Sequence, residues 1–127
     1  MTASPGPDTA RAAETLTRCI RCLNHATRPG AGGLREPADL YDLLGWLHLA
    51  AGGLPQLTRQ LARWLDQHAQ TGTLRDDRGR HPAGPATAAS QQLQQAAETA
   101  SQLTRALQTA QNHIATLAPA TPVINNP

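Results

Sequence analysis

The chain has no lysine and no phenylalanine, and only one tyrosine, two tryptophans and two cysteines in 127 residues. Its 11 basic residues are therefore all arginine. That bias is what GC-rich codons produce, so it implies no selection for nucleic acid. The net charge of +2 is too small by itself to imply a polyanionic partner. Two cysteines build no disulfide framework, which points to a reduced, cytoplasmic setting.

Long apolar runs are also missing. Leu43 to Leu54 is the longest, and Gly45, His48 and a glycine pair interrupt it. It falls well short of the ~20 residues that cross a bilayer. The first residues, MTASPGPDTARAAE, lack a basic stretch followed by an apolar one, so no signal peptide is expected.

Catalytic signatures are equally scarce. PGAGGL carries neither the Lys nor the Ser/Thr of a phosphate loop, and no GxSxG or HExxH occurs. Asp76 and Asp77 lack the regularly spaced oxygen ligands of a calcium loop, and with Arg75, Arg78 and Arg80 they read as a solvated charge cluster. The expectation is a protein that is not an enzyme, with no cofactor and no small-molecule substrate.

What is present is a seven-residue apolar repeat in the last third of the chain. With Leu93 as position a, the a series is Ala86, Leu93, Ala100, Leu107 and Ile114, and the d series is Ala89, Ala96, Leu103, Ala110 and Leu117. The e and g flanks, among them Ala97, Thr104 and Gln111, carry no fixed charge, which suits a multi-helix bundle with neighbours on both sides. Glu98 and Arg105 fall at f, pointing away.

Three shorter helices precede this one. The first is expected over 8–25, with Asp8 as N-cap and Ala12, Leu16, Cys19, Ile20 and Leu23 on one face. Pro37 opens a second over 37–51, with Leu40, Leu43, Leu44, Leu47 and Ala51 as its stripe. Gly52 and Gly53 end it, and Pro55 opens a third over 55–71, whose apolar face reads Leu57, Leu61, Trp64, Leu65 and His68. The long helix then spans 86–118, stopped by Pro119 and Pro122. Residues 1–7 and 119–127 read as disordered ends of a single domain, 8–118.

The fold class is thus all-α: a four-helix bundle, or helical hairpins, with one long C-terminal heptad helix. A rod of ~50 Å exceeds companions of ~22–27 Å, so half of its stripe stays bare unless it is covered. Helices two and three could lie end to end along it, or a second subunit could supply the cover. Partner-binding residues expected on this ground are Leu93, Leu103, Leu107, Ile114 and Leu117, with Leu49 as a further contact opposite the main stripe of helix two. A homo-oligomer or a partner helix is the expected ligand.

Two other chemistries compete with packing. Cys19 and Cys22, at i and i+3, are the candidate metal ligands. His25 diverges from Cys19 by ~120° of helix and ~9 Å of rise, so one ion cannot easily take all three. Helices two and three also resemble a helix-turn-helix, in which Arg59 and Arg63, with Arg18 and Arg21 of the first helix, would meet DNA. Against it, Arg59 and Gln60 fall where that motif buries an aliphatic side chain, and Asp66 three residues on is placed to neutralise Arg63.

Two stretches, LYDLLGWLHLAAGGLPQLTRQLARWLDQ (40–67) and 88–117, resemble small all-helical proteins of high-GC actinobacteria, some carried on mobile elements. The resemblance implies a cytoplasmic bacterial protein, an accessory of such an element with a role in its maintenance or transfer, while the 86–118 stripe is what points to a non-enzymatic interaction or oligomerisation module. It transfers no catalytic residue.

Overall fold

A computed structural model describes residues 5–120. Three quarters of them are helical and none lies in a strand. The order is α1 (Pro5–Ala26), α2 (Pro37–Gly52), α3 (Leu54–Gln70) and α4 (Ala83–Ile114). No helix among the described residues is long and apolar enough to cross a membrane. The chain forms two compact units: Tyr41–Thr116, and the segments on either side of it.

The helix ends depart modestly from expectation. α1 begins at Pro5, so Asp8 lies inside its first turn instead of capping it. Prolines are tolerated there because first-turn amides have no intrahelical acceptor. Residues 5–7, expected to be disordered, are thus helical, and 1–4 lie outside the described residues. α4 begins at Ala83 and stops at Ile114, four residues earlier than expected. The Ala115 amide turns back to the Asn112 carbonyl at 3.3 Å, closing the helix with a tighter turn ahead of Pro119. Pro122 and most of the expected tail lie beyond the described residues.

In the Tyr41–Thr116 unit, α2 and α3 lie end to end along α4, antiparallel to it. Tyr41 meets Gln111 at one end, where the side-chain amide donates to the Tyr41 carbonyl at 3.1 Å. His48 Nδ1–H donates to the Thr104 carbonyl at 3.1 Å. Near the other end the Ser90 hydroxyl reaches the Ala62 carbonyl at 3.5 Å. Tyr41 to Ala62 and Ser90 to Gln111 are segments of equal length, so the register holds over ~32 Å despite the break.

The break itself is mild. Gly53 is right-handed, at φ −85° and ψ −15°, and its amide bonds to the Ala50 carbonyl at 3.2 Å. The diglycine therefore interrupts the helix without a left-handed cap, and Pro55, lacking an N–H, prevents full continuity. Gly45 serves a different purpose. A Cβ there would come within 2.8 Å of the Gln111 amide nitrogen, so glycine admits that side chain against the α2 backbone.

The contact seam of α4 corrects the expected one. Its buried and half-buried residues include Ala86, Ser90, Leu93, Ala97, Ala100, Thr104, Leu107, Gln111 and Ile114, a strict four–three alternation along positions a and e. Ala97, expected on a flank, has 0 % exposure and sits at the centre. Of the d series within α4, Ala89, Leu103 and Ala110 are exposed and Ala96 is half-buried. The e residues are small or polar, but Ser90 and Gln111 find acceptors on α3 and α2, and the Thr104 carbonyl accepts from His48. Small side chains let the helix axes approach, so the less apolar flank became the inner one.

α3 is corrected in the same way. Its inward residues are Leu54, Thr58, Ala62, Leu65 and Ala69, while Leu57, Leu61 and Trp64 stay half exposed. The connection to α4 is also more ordered than a solvated charge cluster. The Asp76 side chain is nearly buried and accepts from Arg80 Nε and the Arg78 amide, each at 2.8 Å.

Candidate functional site

α3 carries two unlike flanks beside its inward stripe. Arg59, Arg63 and Asp66 lie on one, and Leu57, Leu61 and Trp64 on the other. Arg59 pairs with Glu98 of α4 at 3.5 Å, and the charged flank, with Gln91 and Gln94, lines a polar groove. The opposite groove is lined by Leu54 and Thr58 of α3 and by Ala96, Thr99, Ala100 and Leu103 of α4, with Gln92 and Gln95 at its edge. The two helices therefore form a layer with one polar side and one apolar side.

The apolar side is the most distinctive surface of the unit. Leu57, Leu61 and Leu103 are each 46 % exposed and Trp64 51 %. The only titratable group along that flank of α3 is His68. Its ring stacks on Trp64 at 3.9 Å, and its Nδ1–H donates to the Trp64 carbonyl at 2.9 Å. That bond fixes the imidazole, which packs against the indole face. The spacing of Leu57, Leu61 and Trp64 predicts a covered face for the third helix, and the structure leaves it half exposed. A helical period gives the direction of a face and not its cover.

The expected partner residues divide. Leu93, Leu107 and Ile114 are half-buried in the a/e seam. Leu103 lies on the open side, Leu117 lies beyond the end of α4, and Leu49 is exposed on α2. Trp46 of α2 is 72 % exposed beside Leu49.

The nucleic-acid candidates are not assembled into a reading helix. Right-handed Gly53 and the shared register on α4 set α2 and α3 end to end, without the crossing of about 90–120° that a helix-turn-helix requires. Arg59 is paired with Glu98, which reaches it from f, and Arg18 with Glu14 at 3.2 Å. Arg63 and Asp66 line the same groove, with no ion pair between them.

Cys19 and Cys22 are both free and exposed on α1. No group of three or more His, Cys, Asp or Glu among the described residues could hold a metal ion. Both thiols are expected to react with a thiol reagent in native buffer at the rate seen in denaturant. Two equivalents titrated without denaturant would confirm this, and a protected thiol would refute it.

Comparison of the chain with family models, with curated proteins and with solved structures finds no match.

Proposed function

We propose that this chain is a non-enzymatic helical interaction module that docks through the apolar side of α3 and α4. The observation that carries the reading is an imbalance of burial. The buried residues are Ala51, Ala62, Ala86, Ala97, Ala100 and Ser90, and no large side chain among the described residues is fully buried. Leu57, Leu61, Trp64 and Leu103 meanwhile lie half exposed together on one flank of α3 and α4 that carries no fixed charge.

A helix in a multi-helix bundle uses a, d and e together, because neighbours flank it on two sides. α4 has the e and a positions covered by α2 and α3, and its d positions remain for a second neighbour. Docking there desolvates side chains that contribute about 25 cal/mol per Å² of apolar area.

Trp64 reports on this directly. In a Trp46→Phe variant it is the sole tryptophan, and its fluorescence is expected to be readily quenched by acrylamide while light scattering shows a monomer. Shielding of Trp64 in that monomer would mean the face belongs to the chain's own core, and the docking reading would fall.

A further inference from the structure

We propose that the occupant of this face is a second copy of the same chain, related by a two-fold axis that runs along the helices in the plane of the face. This rests on the docking reading and adds the partner's identity and geometry. The apolar side of the layer has two levels. α3 offers a ridge of Leu57, Leu61 and Trp64, and α4 beside it offers a shallow track of Ala89 and Ala96.

A surface with a ridge and a furrow side by side is complementary to itself under a two-fold rotation. That axis lays α3 of each copy over α4 of the other, antiparallel. Heights along the helices are preserved, so the observed α3–α4 register fixes what meets what. Ala62 lies level with Ser90, and Arg59 reaches Glu98. Trp64 of one copy then covers Ala89 of the other, Leu57 covers Ala96, and Leu61 packs between the two alanines.

Charge supports the choice. The fixed charges of this part of α3 and α4, namely Arg59, Arg63, Asp66, Glu98 and Arg105, lie off the ridge and the track. A charged partner would bury charge against this face without a counter-charge, whereas a second copy brings none.

Area sets the strength of the pairing. α3 has 17 residues, so it runs ~25 Å, and two helices side by side are ~20 Å across. The face is therefore about 500 Å² per copy before corrugation, or about 1,000 Å² for the pair. This lies just below the ~1,200 Å² of the smaller stable interfaces, so the dimer is expected to be weak and concentration-dependent.

The test is sedimentation or light scattering of the full chain from sub-micromolar to high micromolar concentration. Twice the chain mass of 13.5 kDa is expected at the upper end, with Trp64 becoming shielded as the dimer forms. Leu57→Glu and Ala96→Lys are each expected to weaken association at least ~100-fold. Mixed together they should restore a dimer, because Leu57 of one copy faces Ala96 of the other. Loss of fold by either variant leaves the unmodified chain's mass and Trp64 shielding to decide.

A monomer with accessible Trp64 throughout overturns the two-fold proposal and leaves the docking reading standing. Trp64 shielded in the monomer removes both. A dimer that the mixed variants fail to restore, while both remain folded, overturns the ridge-on-furrow geometry.

Discussion

Ala97→Leu is expected to lower the stability of the fold by about 1–3 kcal/mol, the usual cost of forcing extra methylenes into a filled contact. Ala97 is fully buried on α4, where that helix faces α3, and three more side-chain carbons have no space there. The paired control is Leu103→Ala. Although leucine is the larger residue, it is half exposed on the outer flank, and its truncation should cost roughly 1 kcal/mol or less. Urea unfolding followed by circular dichroism measures both. The a/d stripe read from the sequence makes the opposite forecast, with Leu103 a core residue costing ~2–5 kcal/mol on truncation and Ala97 a tolerant flank. The ranking of the two variants therefore decides which seam holds the helices together.

Gly52→Ala combined with Gly53→Ala is expected to stabilise the chain by about 1–2 kcal/mol. Gly53 has right-handed helical dihedrals, and a Cβ there would lie 3.6 Å from the Ala50 carbonyl oxygen, an ordinary contact. At Gly52 the nearest atom would be the Thr104 methyl, at 3.9 Å. Neither site needs the left-handed conformation that makes glycine indispensable, so alanine removes disorder from the unfolded chain at little cost in the folded one. Thermal unfolding should shift upward by about 5–10 °C. A downward shift would show that the α2–α3 break must flex more than its geometry indicates.

The helices were legible because their signals are local. Pro37 and Pro55 mark N-termini, the glycine-rich stretch after Arg28 ends α1, and a seven-residue repeat of Leu, Ala and Ile marks α4. Each of these acts within one or two turns of itself. The end-to-end placement of α2 and α3 was also legible as one of two ways to cover a long rod.

The a series was read correctly, because any frame that includes Leu93, Leu107 and Ile114 contains it. The choice between d and e was misread. Hydrophobicity favours d, with Leu103 and Leu117, over e, with Ser90, Thr104 and Gln111. Side-chain hydrophobicity cannot show that the hydroxyl of Ser90 and the amide of Gln111 have carbonyls waiting on Ala62 and Tyr41.

The same blindness affected α3. Leu57, Leu61 and Trp64 repeat as a core stripe does, yet the helix turns its Thr58 and Ala62 edge to α4. Two helices meet where their surfaces fit closely, and a ridge of small residues brings the axes nearer than a ridge of leucines.

By itself the amino-acid order determined that the chain is helical, where its helices break, and that α4 carries more apolar surface than one neighbour can cover. Propensity, proline and glycine act along the chain, and for these the chain is enough. The tertiary structure alone decided which edge of α4 faces inward, that α2 and α3 keep one register on α4 across the diglycine, and that Arg59 and Arg63 fall on the opposite flank of α3 from Leu57, Leu61 and Trp64. Those are properties of two surfaces in contact, set by close approach and by hydrogen-bond partners 28 to 70 residues away.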